Sequence, residues 1–406
     1  MSNRVIDYIE SHWDGQIREN REDEGTLIGL PYPYTVSGTS NVFTEIYYWG
    51  TFFTNKGLEI SGRWELVKSN VDNMLYLVDK YGFMPNSNRT WHLNNSQPPF
   101  LSIMVRDVFE HYGDPTWLST AYRVLLKEYK FWMNERNTEI GLNRYGKHWP
   151  KEDEAKKASD FSRRVGVQPE GKTEPELSDH YMVCCESGID CSPRWGFEGY
   201  DYAVVDLNSL LYTFEQNMAF FAKTLGKTEE AAWIAAAEKR AAKMLKYMEK
   251  DGVFYDYNVK EGRIKEFFSC ACAYPLFSKM VNKQYAECFV KQLPKLELEY
   301  GLSYTEKYDF PGEYQWGDRI GWPCMQYFVI KALDNYGFTD EAKRIANKYL
   351  ALFEKVFDET GSLWEKYNVE EGNDNVSAEY TMPPMMGWTA AAYLSCKRYI
   401  DEGIID

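Results

Sequence analysis

Residues 63–81 read RWELVKSNVDNMLYLVDKY, with Trp64, Val67, Val71, Met74, Leu75 and Val78 recurring at steps of three and four. That spacing lines one face of a helix with apolar side chains and predicts a helix over 63–81. The same rhythm returns at 99–111, 116–134, 206–225, 228–250, 279–293, 322–336, 339–357 and 387–399. Short turns such as Tyr112-Gly113-Asp114 and Gly226-Lys227 end several of these runs, because glycine supplies the left-handed residue that stops a helix. The helices follow one another in pairs, and longer aromatic and polar stretches lie between pairs at 85–99, 137–201 and 304–322. An all-α toroid of helical hairpins has this form, with short turns on one face and long functional loops on the other. A solenoid would need a fixed repeat period, and none is present.

The stretch 137–200 lacks strong periodicity and is rich in charge from 151 to 164. Helical pairs continue on both sides of it. A single domain spanning 1–406 is therefore expected, with a long loop insertion at about 137–200, since a loop of that size inside one domain usually carries function. Two domains divided near 151–172 are the alternative.

Composition narrows the function classes. The chain has 406 residues, 44% hydrophobic and 26% charged, which excludes a disordered polymer. Its formal net charge of −15 would repel phosphate backbones and anionic lipid, so neither nucleic acid nor a membrane is expected as partner. Self-association into a homo-oligomer stays open. The aromatic share of 16% suits stacking on sugar faces, and equally a tyrosine-rich core. No run reaches the roughly 18 apolar residues of a membrane span. Arg4, Asp7, Glu10 and Asp14 stand where an export signal would need an apolar segment, and the expected compartment is the cytoplasm. Eight cysteines without paired spacing read as reduced packing residues, and five isolated histidines suggest no metal site; no cofactor is expected.

Two segments carry candidate chemistry. The first, ESGIDCSPRW at 186–195, places an acid among small residues and beside Trp195. Gly188 lets a sugar approach the backbone, and a carboxyl desolvated by an indole can stay protonated as a general acid must. Asp190 alone is equally a helix N-cap, with Ser192 and Pro193 following it. The second runs from Trp364-Glu365-Lys366-Tyr367 to Glu379-Tyr380, then Pro383, Pro384, Gly387 and Trp388. Its carboxylate Glu379 suits a solvent-reachable base or a plain loop residue.

From about residue 43 to residue 388 the chain resembles the trehalases and related inverting α-glucosidases. The segments that carry the likeness are FTEIYYWGTFF (43–53), DNMLYLVD (72–79), YGFMPNSNR (81–89), SQPP (96–99), ESGIDCSPRW (186–195), VDLNSLL (205–211), Gln315-Trp316, Gly321-Trp322, Glu365-Lys366-Tyr367 and Glu379-Tyr380. Each is short, and their common order gives the resemblance its force. It implies an (α/α)6 toroid, the six-hairpin glycosidase barrel. It also implies Asp190 as general acid, Glu379 as general base, and Phe43, Tyr47, Trp49, Asn88, Gln97 and Trp316 along the sugar pocket, with Gly188 in the acid motif. Inverting hydrolysis of a small α-linked saccharide or glycoside follows.

The chain departs from the family pattern at five places, one of them Ser192-Pro193-Arg194, which is nearer to the neighbouring α-glucosidases than to the Ser-Ser-Arg of trehalases. Gly50 stands where trehalases carry an Asp that grips sugar hydroxyls, and Val42 and Asn95 stand where they carry Arg. Gln315-Trp316 continues as Gly317-Asp318 rather than directly with Asp. Each lost charge-assisted hydrogen bond is worth on the order of 1.5–3 kcal/mol. The expected substrate is therefore a glycoside other than trehalose. Trehalase itself is the alternative, and a catalytically silent sugar-binding protein on the same fold is the second.

Overall fold

The structure is a computed structural model, and it describes residues 3–376 and 380–405. The helices are α1 (Arg4–His12), α2 (Tyr48–Ile60), α3 (Trp64–Tyr81), α4 (Leu101–Tyr112), α5 (Pro115–Glu135), α6 (Glu154–Val165), α7 (Glu174–Ser187), α8 (Val205–Thr224), α9 (Glu230–Tyr247), α10 (Tyr274–Phe277), α11 (Lys283–Gln292), α12 (Pro323–Asp334), α13 (Thr339–Thr360) and α14 (Gly387–Glu402). Strands among the described residues are short antiparallel ladders, such as Ile320–Gly321 against Tyr367–Asn368. The fold class is all-α, as expected. No helix among the described residues is long and apolar enough to cross a membrane.

Each of the nine helices read from periodicity is present, with ends shifted by local chemistry. Helix α3 stops at Gly82, whose φ of +85° suits glycine and whose N–H bonds the Val78 carbonyl. Between α4 and α5, Gly113 turns left-handed at φ +67°. Asp114 then caps the next helix by accepting from Thr116 N and Trp117 N, with Pro115 in the first turn. Helix α11 begins four residues later than its pattern, because Asn282 caps it through Gln284 N.

The stretch 137–200 is not one long loop. It holds α6 and α7, and the irregular parts lie on either side of them. Helix α6 escaped periodicity because only Ala158, Phe161 and Val165 are buried on a mostly polar surface. Helix α7 carries a reciprocal cap, with Thr173 accepting from Glu176 N and the Glu176 side chain returning to the Thr173 N–H.

Two compact units are distinguished. The first comprises Met1–Asn94, Glu297–Tyr304 and Arg319–Asp406; the second comprises Asn95–Leu296 and Thr305–Asp318. None of their four boundaries along the chain falls in 151–172. Within the first unit α14 packs on α2, α12 and α13. The α2–α14 contact is close because of Gly57: a Cβ there would stand 2.9 Å from the Cα of Ala391. Helix α2 is buried over the whole run Tyr48–Leu58, so it has no polar face. Within the second unit α8 packs on α9, α4, α5 and α10, and α6 packs on α7. Its core gathers Trp132, Tyr145, Val183, Trp195, Leu207 and Leu211.

Candidate active site

In the second unit, α7 delivers the acid motif. Gly188 ends the helix in the left-handed region at φ +71°, which a side chain would strain, and the chain turns so that Asp190 follows two residues later. Cys191, directly after the acid, also has a positive φ of 55°. The Ser187 hydroxyl donates to the Cys184 carbonyl and accepts from Ile189 N, which fixes the turn. Ser192 accepts from Arg194 N and donates to the Trp316 carbonyl at 3.2 Å, tying the acid loop to one of the expected sugar-lining residues. Trp316 itself is buried.

Asp190 keeps a side-chain exposure of 35%, and its Oδ2 lies 3.2 Å from Arg164 Nη2. Trp195 belongs to the core cluster of this unit. The indole is fully buried in the core and donates to Asp256 Oδ2 at 2.9 Å. Asp256 also receives Nε and Nη2 of buried Arg194, each at 2.7 Å, and Arg194 Nη2 reaches Asp206 as well. Trp195 and Arg194 therefore brace the loop from inside.

Glu186 has no assigned role in the sequence reading, yet it organises the motif. The fully buried carboxylate accepts from Arg136 Nε at 2.6 Å and Nη2 at 2.8 Å, from Ser96 N at 2.9 Å and from Gly146 N at 2.6 Å. Burial alone would raise its pKa, but the Arg136 charge and these hydrogen bonds hold it below the ordinary value. Through Ser96 it fixes the SQPP segment, where Gln97 is buried and Asn95 turns its amide to the Ser96 carbonyl.

In the first unit a chain of rings holds three of the expected pocket residues. Phe43 packs edge-on against Tyr47 at 5.6 Å and Tyr380 at 5.4 Å, and Tyr47 meets His92 at 6.0 Å. Trp49 packs against Trp388 at 6.3 Å, and Trp388 against Trp322 at 5.6 Å. Burial depresses the His92 pKa to about 4, so the imidazole beside Tyr47 is neutral near pH 7. Asn88 has a different place: fully buried, it accepts from Ile46 N and donates to the Ile28 carbonyl, so its amide supports the loop from behind.

Glu379 lies outside the described residues. The carboxylate the structure places among these rings is Glu365. It is buried, with Oε2 at 2.9 Å from buried Lys366 Nζ and Oε1 accepting from Tyr380 Oη at 2.6 Å. Trp388 Nε1 donates to its carbonyl. Lys366 sits 4.8 Å from the Trp322 ring centroid, a cation–π contact. The Glu-Lys-Tyr motif was legible in the sequence, but only the fold shows that its first residue meets Tyr380. At Gly50 a Cβ would meet only Tyr47 Cβ, at 3.8 Å, so a side chain has room to start there.

A cavity of about 290 Å³ in the second unit holds none of the residues named from sequence. Its charges pair internally: His148 Nδ1 is 2.6 Å from Asp179, Lys172 is 2.7 Å from Glu198, and Lys260 is 3.6 Å from Asp201. It offers no unsatisfied catalytic pair.

Comparison with known proteins places this geometry in a family. The chain matches the family model described as Trehalase over residues 3–400. It is 33% identical to a probable trehalase of Eremothecium gossypii across 92% of this chain and 56% of that protein. It is 30% identical to a periplasmic trehalase of Salmonella paratyphi B across 94% of this chain and 71% of that protein. The chain thus spans little more than half the length of the first of these relatives. Among solved structures it resembles the neutral trehalase of Saccharomyces cerevisiae, with a TM-score of 0.79 and 27% identity over 99% of this chain and 81% of that one. These likenesses uphold the fold class implied by the motifs and the assignment to glycoside hydrolases, and the chain belongs to the trehalase family.

Proposed function

We propose that this protein hydrolyses α,α-trehalose to two molecules of glucose. The observation that carries this reading is the trehalase family match along residues 3–400. The relatives named trehalase, at 33% and 30% identity, favour it over the other α-glycoside expected from the departures at Val42, Gly50 and Asn95. Loss of one charge-assisted hydrogen bond weakens binding by roughly ten- to a hundredfold. It supplies no group that would prefer another sugar. Gly50 still favours a second reading, because open space at that position admits a substituted sugar.

Chemically, Asp190 would donate a proton to the glycosidic oxygen as the C–O bond breaks, while a second carboxylate takes a proton from the water attacking the anomeric carbon. The motif assigns that base to Glu379. Position favours Glu365, because its partner Tyr380 belongs to the ring chain of Phe43 and Tyr47. Arg4, Asp7, Glu10 and Asp14, charged where an export signal would need an apolar run, suit the cytoplasm, which is proposed, and cell fractionation tests it against the periplasm of the Salmonella relative.

Steady-state release of glucose from trehalose, maltose and glucosylglycerate tests the substrate. The reading expects trehalose to have the highest specificity constant, within about 10⁴ to 10⁸ M⁻¹s⁻¹. A higher constant for either other glycoside would replace it.

A further inference from the structure

We infer that Arg164 is a positioning residue for Asp190, fixing where the carboxyl points and the pH at which it surrenders its proton. The inference rests on the reading of Asp190 as general acid. Arg164 lies in the last turn of α6, before the left-handed Gly166, in the segment that sequence alone read as loop. Its fork reaches Asp190 and Tyr181. Nη2 donates to Asp190 Oδ2 at 3.2 Å, and Nη1 donates to Tyr181 Oη at 3.0 Å. Its carbon Cζ lies 5.5 Å from the Tyr181 ring centroid. With Tyr181 on α7 and α6 packed along α7, the guanidinium is held on one side by a helix and on the other by the carboxylate.

Asp190 also acts electrostatically on three groups of α7, Tyr181, Cys184 and Cys185. Burial pushes all three upward, Cys184 to about 12, so they stay neutral at working pH. From α6, Lys157 acts on Cys185. Arg164 is thus a charge in direct contact with Asp190. A cation beside a carboxyl favours the ionised form. A general acid must be protonated, so this contact draws the basic limb of the activity profile to lower pH. Arg164 side-chain exposure of 16% leaves it only partly screened by water.

The experiment measures kcat/KM for trehalose against pH in the full chain, with α-glucosyl fluoride as a substrate whose leaving group needs no proton. Arg164→Gln is expected to move the basic limb up by about one pH unit. Arg164→Lys keeps the charge but cannot serve both partners with a fork, so the limb stays while kcat on trehalose falls about tenfold and that on the fluoride is spared. An unmoved limb in Arg164→Gln overturns the inference. Equal kcat losses on both substrates in Arg164→Lys overturn it too, and that variant decides if the glutamine variant does not fold. Asp190→Asn separates the two readings: native trehalose turnover in that variant removes the acid assignment itself, whereas its loss with an unmoved limb in Arg164→Gln removes only the role of Arg164.

Discussion

Arg136 grips the Glu186 carboxylate with two nitrogens, at 2.6 and 2.8 Å, where both side chains are buried. The pair joins the end of α5 to the helix that delivers Asp190, and the backbone N–H groups of Ser96 and Gly146 complete the carboxylate's shell. Removing one member leaves a buried charge without its partner, which typically costs about 3–5 kcal/mol. Glu186→Gln should therefore lower the unfolding free energy, read by urea titration, by an amount in that range. A change under about 1 kcal/mol, the size of an exposed pair, would show that the pair braces nothing.

The two candidate bases are separable by single substitutions. Glu365→Gln should reduce kcat on trehalose and on α-glucosyl fluoride alike, by at least about 10²-fold, because water must be activated whatever the leaving group. If Glu379→Gln produces that loss and Glu365→Gln does not, the base belongs to the motif residue and Glu365 serves the ring cluster only.

Two glycines of α2 should respond to alanine in opposite directions. At Gly50 the new Cβ makes an ordinary contact with Tyr47 at 3.8 Å, so Gly50→Ala should stabilise by roughly 0.5–1 kcal/mol through the helix preference. At Gly57 the Cβ meets Ala391 Cα at 2.9 Å and Cβ at 3.0 Å, and Gly57→Ala should destabilise by about 1–3 kcal/mol. Thermal unfolding reads both, and shifts of the same sign would refute the α2–α14 packing. Gly50→Asp, measured against Gly50→Ala, should raise kcat/KM for trehalose about tenfold if a sugar hydroxyl is left ungripped by the native residue.

Stability should fall with acid before the carboxylates titrate. His180 is fully buried, accepts from Gly199 N, and has a pKa pushed by burial to about 3. The unfolded chain binds a proton at this site near pH 6.5 and the folded chain does not, so the contribution is complete above pH 6.5 and is lost as pH falls toward 3. Between pH 6.5 and 4.5 the native protein should lose roughly 2 kcal/mol more than His180→Gln. Parallel pH dependences for the two proteins would contradict the burial of a neutral imidazole.

Much of this fold was legible in the chain wherever a helix has one wet face. Helix α3 declares itself by Val67, Val71, Met74 and Val78, all buried. Helix α2 does not, because burial from Tyr48 to Leu58 erases the polar half of the pattern. Helix α6 fails from the other side, with only Ala158, Phe161 and Val165 turned inward. For α7, the Thr173–Glu176 cap and Pro175 were available signals. The site divides in the same way. Small residues around Asp190 mark a turn after a helix. The contact with Arg164 and the withdrawal of Trp195 to Asp256 depend on tertiary packing, which residue spacing does not encode.

Proton NMR of trehalose turnover, recorded before the anomers equilibrate, tests the central claim most directly. An inverting attack releases one β-glucose from the attacked ring and one α-glucose as leaving group, so the account predicts the two anomers in equal amounts from the first time points. Two α-anomers per trehalose would mean retention at the attacked carbon. No glucose from trehalose, alongside turnover of another α-glycoside, would contradict the proposed substrate.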